Sequence, residues 1–207
     1  TSINISDSVT SIGYDAFEGC SSLTSIELPD GITSIEYSTF DKCSSLTSIA
    51  IPNSVTSIKD RAFYNCSSLS GSIPDRLFAG IKGAPASYMF YQTFSSCSNL
   101  SGSIPENLFA GINGAPAERM FQDTFYKCAG LTGPIPENLF AGINGAPASN
   151  MFSQTFYGCS SLTSINIPEG VEKIGYHGFY NCGKLKEITI PSTLNQIGDS
   201  AFFLSFL

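Results

Sequence analysis

The stretch LTSIAIPNSVTSIKDRAFYNCSSL, from Leu46 to Leu69, decides how this chain folds. Its apolar residues fall at Leu46, Ile49, Ile51, Val55, Ile58, Phe63, Cys66 and Leu69. Steps of three around one two-residue step describe a chain that turns corners and sends one side chain inward at each. The Ile49-x-Ile51 pair has the period of a strand. Pro52 has no N–H to give to a ladder, so it marks where that strand stops. A second short extended segment, Val55 to Ile58, follows, and an irregular or helical arc from Phe63 to Leu69 closes the coil.

Working outward, the same order recurs along the whole chain. Phenylalanine stands at Phe17, Phe40, Phe63, Phe94, Phe125, Phe156, Phe179 and Phe202, in steps of 23, 23, 31, 31, 31, 23 and 23 residues. Three places later comes Cys20, Cys43, Cys66, Cys97, Cys128, Cys159 or Cys182, and three places after each cysteine a leucine. The locked columns define one repeat solenoid over 1–207: short units over 1–69, long units over 70–162 and short units over 163–207. Eight stacked coils with short parallel β-strands follow. At the usual ~4.8 Å between strands they make a rod about 40 Å long. No single unit holds enough core to fold alone, so stacking is obligatory.

Each long unit inserts eight residues after the first strand. In IPENLFAGINGAPA, Pro105 suits the first turn of a short helix, Gly111 to Gly114 a break, and Pro116 a restart. The pattern repeats after Pro74 and Pro136. Leu108, Phe109, Ile112 and their equivalents should therefore thicken the core in the middle of the rod.

The short unit resembles the BspA-like class of leucine-rich repeats, through LTSIxIPxxVTSIxxxAFxxCSSL across Leu46 to Leu69. That resemblance implies a leucine-rich-repeat solenoid from a secreted or cell-surface protein that adheres to matrix proteins or other cells. Repeat identity specifies a fold far better than a ligand.

Composition sets what the chain is suited to. A formal net charge of −7 with only ten Lys and Arg, all scattered, argues against nucleic acid. No run of apolar residues is long enough for a membrane-spanning helix. Residue 1 already lies inside a repeat, so the sequence reads as a mature or excised piece without a signal peptide. One histidine, His177, leaves little from which to build a nucleophile–base pair, and no enzyme activity or cofactor is expected. The cysteines share one core column with parallel Cα–Cβ vectors. Their Cβ atoms should stay near ~4.8 Å apart, beyond the roughly 3.5–4.5 Å of a disulfide, so a ladder of free buried thiols is expected. No CxxC pair offers a zinc site.

His177 aligns with Asp15, Ser38 and Arg61 at a surface corner. Glu106, Glu137 and Asp75 share a column at the start of the insert, where they complement a helix N-terminus rather than form a catalytic pair. The Ser and Thr residues around the strands, such as Ser25, Ser48, Ser164 and Thr56, read as β-tolerant polar residues on a solvated face.

Comparing the three long units separates constant from varied positions. Those that vary are Ser87-Tyr88, Glu118-Arg119 and Ser149-Asn150, then Tyr91-Gln92, Gln122-Asp123 and Ser153-Gln154. They should face solvent and form a strip. Tyr88, Tyr91, Arg119, Gln122 and Asn150 are its candidate partner-binding residues, because aromatic and Arg side chains supply most binding energy. The rival face carries the small outward residues of the strands, Glu27, Ala50, Ser103, Asn166 and Thr189 among them.

The last unit departs to FLSFL and loses its cysteine and leucine columns. Phe203 to Leu207 should be exposed unless they fold over the end or meet another copy end to end. The leading expectation is an extracellular adhesion module binding a protein or glycan on another cell or matrix. A structural spacer or a self-assembling subunit is the alternative.

Overall fold

The first isoleucine of each pair lies in a short strand at Ile3, Ile26, Ile165 and Ile188, whereas the Ile49-x-Ile51 segment expected as a strand carries none. The computed structural model describes every residue except Arg76, Ala146, Pro147, Ser149, Pro168, Gly170 and Leu207. The expectations for Ser149 and Leu207 therefore lie outside the described residues. The chain winds through eight coils, numbered here by the phenylalanines from Phe17 in coil 1 to Phe202 in coil 8.

The first strand of a coil appears as β1 (Ser2–Asn4), β2 (Ser25–Glu27), β5 (Gly133–Ile135), β6 (Leu162–Asn166) and β8 (Glu187–Thr189). The second appears as β3 (Ser34–Ile35), β4 (Ser57–Ile58), β7 (Lys173–Ile174) and β9 (Gln196–Ile197). Every strand pairing is parallel, with Ile3 opposite Ile26, Ile35 opposite Ile58, and Ile165 opposite Ile188, while β5 against β6 shifts register between Gly133 and Pro134. Single parallel bridges, such as Gly71 with Leu100 and Gly83 with Ile112, carry both ladders through the long coils.

The arcs take the non-helical of the two forms that the sequence left open. Among the described residues there is no helix, either in the arcs or after Pro105. An arc is instead a regular run of tight turns. In coil 5 the N–H groups of Phe121, Asp123, Phe125 and Lys127 donate to coil 6, while those of Gln122, Thr124, Tyr126 and Cys128 donate three residues back. A helix would send all of these bonds along its own chain, whereas here every second donor ties neighbouring coils together. The geometry requires a left-handed residue at every fourth position: Tyr88, Gln92 and Ser96 in coil 4, and Arg119, Asp123 and Lys127 in coil 5. None of the non-glycine residues with positive φ is β-branched, as the steric cost demands.

Inside the arc the phenylalanine column forms an unbroken stack. Ring centroids from Phe17 to Phe202 lie 5.4–5.9 Å apart, with planes within 13° of parallel. The inserts add two further stacks in the middle, Phe78–Phe109–Phe140 and Phe90–Phe121–Phe152. The core thickens there as expected, with Leu77, Leu108, Leu139, Ile81 and Ile112 buried beside the rings.

All seven cysteines are unbridged. Each thiol from Cys43 to Cys182 donates to the carbonyl of the phenylalanine in the coil before, at 3.0–3.2 Å. That carbonyl also accepts the amide of its own coil's cysteine, as with Cys20 on Phe17. The column is therefore a ladder of weak hydrogen bonds as well as of packing. Phe17 and Cys20, in coil 1, are only partly buried. Burial pushes the thiols up, to about 11 at Cys43 and about 12 at Cys97 and Cys182.

The last coil does not lose the cysteine column. Ser205 fills it, its hydroxyl donating to the Phe179 carbonyl at 2.6 Å and accepting from the Cys182 amide at 3.1 Å. A hydroxyl satisfies the same carbonyl that a thiol does. Phe203, Leu204 and Phe206 remain exposed.

Two polar columns also behave differently from expectation. No helix starts at Glu106 to need an acidic residue; its carboxylate accepts from the Asn138 amide of the next coil. The Thr hydroxyls beside the strands staple coils together, Thr47 onto the Thr24 carbonyl at 3.0 Å and Thr56 onto Thr33 at 3.4 Å.

Candidate interaction surface

The candidate residues of the arcs fall in two adjoining columns. One runs Tyr88, Arg119, Asn150, through the long coils only. The other runs Tyr91, Gln122, Ser153, Tyr176, Asp199 into the short coils. Column register brings the first three candidates together. The Arg119 guanidinium lies 5.6 Å from the Tyr88 ring centroid, and Tyr88 meets Tyr91 edge to face at 5.6 Å. Arg119 Nε is 3.6 Å from the Glu118 carboxylate, too far for a hydrogen bond. Arg119 Nε and Gln122 Oε1 are both shielded from solvent without a hydrogen-bond partner.

Not every varied position faces solvent. Asp123 and Ser153 are buried. The Asp123 carboxylate accepts from Gln92 at 3.3 Å and from Gln122 at 3.4 Å. Gln92 in turn accepts from Arg61 at 2.8 Å, so three coils share one polar chain. Burial pushes the Asp123 carboxyl above its usual range, against the opposing pull of the two amide bonds.

Sequence reasoning missed an outer aromatic row. In coils 5 to 8 the position after the core phenylalanine carries Tyr126, Tyr157, Tyr180 and Phe203, whose rings stack at 4.7, 4.6 and 5.2 Å along the outside of the arcs. Lys127 packs over the Tyr126 ring at 5.1 Å. His177, which the sequence put at a surface corner, lies 3.7 Å from Tyr176 in a stacked pair and 4.8 Å from Tyr180. The signal was available, since tyrosine follows the core phenylalanine in four of the eight units. A position without a constant residue does not announce itself as a column.

The insert stack ends at coil 6, and the core phenylalanine column Phe90–Phe121–Phe152 continues as Gly175 and Gly198. A Cβ at Gly175 would sit 2.6 Å from the Ser153 amide nitrogen and 2.7 Å from the Phe152 carbonyl carbon. The glycines let coils 7 and 8 lie flat against the step. A notch of about 180 Å³ results, lined by Asn150, Phe152, Lys173, Tyr176, Gln196 and Asp199. Of the candidate residues, Asn150 lies in this notch, while Tyr88, Tyr91, Arg119 and Gln122 lie along the strip leading to it.

Among the described residues no group of three or more His, Cys, Asp and Glu could hold a metal ion, and no helix is long and apolar enough to cross a membrane. Parallel one-coil strands, a buried Phe-x-x-Cys-x-x-Leu arc and in-register stacking define a leucine-rich-repeat solenoid. The chain belongs to the BspA type leucine rich repeat family, whose model matches residues 1–132 and 148–207 in six copies. No curated protein matches it. Among solved structures it is similar to the T. pallidum Leucine Rich Repeat protein, at 22% identity and a TM-score of 0.51, over 97% of this chain and 74% of that one. A leucine rich cell surface protein of Faecalibacterium prausnitzii is 25% identical with a TM-score of 0.49, over 98% of this chain and 57% of that one. A Bacteroides ovatus leucine-rich repeat protein is 22% identical with a TM-score of 0.40, over 99% and 76%.

Proposed function

We propose that this solenoid is a non-catalytic interaction module, acting at a cell surface or outside the cell, that grips a protein partner with the outer face of its arcs. The observation that carries the reading is the concentration of large side chains there. The arcs carry both the row from Tyr126 to Phe203 and the strip of Tyr88, Tyr91 and Arg119. Tyrosine and arginine dominate binding energetics where they can be desolvated. The strand side carries Ser25, Glu27, Ala50, Ser103 and Thr189, which are small or solvated and offer few anchors. Placement outside the cell extends the family resemblance, and adhesion to matrix or other cells is the role such a face would serve.

The test is surface plasmon resonance against a panel of purified extracellular-matrix proteins. Replacing Tyr88, Tyr91 and Arg119 together by alanine, or Tyr157 and Tyr180 together by serine, is expected to weaken capture more than tenfold (about 1.4 kcal/mol or more). The pair Glu27→Ala and Thr189→Ala should leave it unchanged. The opposite pattern would move the binding face to the strands.

A second reading has its own observation. The final coil leaves Ile190, Ile197, Phe203, Leu204 and Phe206 exposed beside unpaired strand edges, a surface on which another copy could stack end to end. Sedimentation that stays monomeric at high concentration removes that reading.

A further inference from the structure

The notch at the end of the insert stack has a chemistry different from the rest of the arc face. Asn150, Lys173, Gln196 and Asp199 line it, and none of these side chains has a hydrogen-bond or ion-pair partner among the described residues. They comprise one carboxylate, one ammonium and two amides, so the formal charge of the lining is zero. Such a set has no net preference for an anion or a cation. It can, however, both donate to and accept from neutral hydroxyls: the carboxylate accepts, the ammonium donates, and each amide does both.

Tyr176 supplies the complementary apolar surface. His177 covers one face of its ring at 3.7 Å, yet Tyr176 stays 48% exposed where it lines the notch. Phe152 and the backbone of Gly175 and Gly198 form the floor, and a Cβ at either glycine would strike backbone. The notch is thus preformed, with an aromatic wall, a polar rim and a rigid base. Its volume of about 180 Å³ falls below the roughly 300–1,000 Å³ of sites for drug-sized ligands. It has room for one small ring.

We propose that this notch is a carbohydrate subsite that takes a single pyranose ring from the end of a glycan. A pyranose combines an apolar C–H face with a rim of hydroxyls that are each donor and acceptor. Tyr176 packs against the face, and Asn150, Gln196 and Asp199 bond the rim, with Lys173 as a further donor. A peptide end would bring charge that the lining does not select, and a purely apolar ligand would leave four polar side chains unpaired. The inference does not depend on a protein partner for the arc face, and either can fail without the other.

The experiment is a ¹H–¹⁵N NMR titration of the intact chain with the free methyl pyranosides of glucose, galactose, N-acetylglucosamine and fucose. At least one should give saturable shifts centred on the amides of Tyr176, His177, Gly198 and Asp199, with millimolar affinity. Tyr176→Ala should weaken that sugar by about tenfold or more, and Asp199→Asn, which preserves shape, should weaken it while leaving the remaining spectrum in place. Absence of saturable shifts with all four sugars overturns the proposal. So do shifts that map elsewhere, or undiminished binding to Tyr176→Ala in a protein whose other resonances are unmoved.

Discussion

Coils 4 to 6 and the short coils flanking them share the phenylalanine and cysteine columns of the arc, yet they differ in what those columns rest on. In the short coils a single phenylalanine stack fills the space between arc and strands. In the long coils the insert adds two more stacks, and Phe121 touches Phe90, Phe109, Phe140 and Phe152 at once. The comparison teaches that thickening the rod is neutral for the arc but creates a step wherever it stops. At the first step the space is lined mainly by apolar groups such as Ile49, Leu69, Ile73 and Leu77. At the second it opens between Tyr176, Asn150 and Asp199. An apolar space lined by Ile135, Phe140, Val171 and Phe179 lies at the second step as well, so the polar notch is an addition to it rather than its replacement.

The largest effect that sharpens this contrast is alkaline unfolding. Six thiols, Cys43, Cys66, Cys97, Cys128, Cys159 and Cys182, are held above their ordinary value of 9.0 by burial. Above pH 9 the unfolded chain loses those protons while the folded chain keeps them. Their contribution is thus complete below about pH 9 and is lost as pH rises through the folded values, about 11 at Cys43 and about 12 at Cys97 and Cys182, with Cys66, Cys128 and Cys159 raised in the same direction. Circular dichroism should show cooperative loss of structure in that window, and Cys97→Ser should shallow the slope. An unchanged slope would mean that the thiols do not couple to folding.

Next in size is the cost of opening the core. Phe121→Ala in the thick region should cost about 3–5 kcal/mol in urea unfolding, and Phe17→Ala, half-buried in coil 1, distinctly less. Equal costs would break the comparison between the middle and the end of the stack. Smaller again is the thiol ladder. Cys128→Ser keeps a donor for the Phe94 carbonyl, as Ser205 does for Phe179. It should therefore be milder than Cys128→Ala, which forfeits a hydrogen bond worth about 1 kcal/mol together with packing. The smallest change belongs to the strand face, where Ser25→Ala should fall within about 0.5 kcal/mol of the parent.

Much of this was legible because a solenoid converts sequence period into spatial neighbourhood. Phe17 to Phe202 repeat at the coil length, so each must stack on the next, and the same argument placed the cysteines side by side without bridges. The arcs stayed open between an irregular and a helical form because three-residue apolar spacing is shared by helices and by chains of tight turns. The two differ in where alternate N–H groups go, and here they go to a neighbouring coil. Ser205 hid inside FLSFL for a related reason: it conserves a hydrogen bond but neither size nor residue type. Asp123 varied between units and so read as exposed, although Gln92 and Gln122 close over it.

The sequence by itself determined the coil count, the columns, the three thick coils and the free thiols, since each follows from period and side-chain class alone. Only the tertiary structure decided the left-handed turns, the outer aromatic row and the notch. The reason is that these depend on which residue of one coil meets which residue of the next. Within a single repeat Tyr176, Asn150 and Asp199 are unrelated letters, and stacking places them around one space.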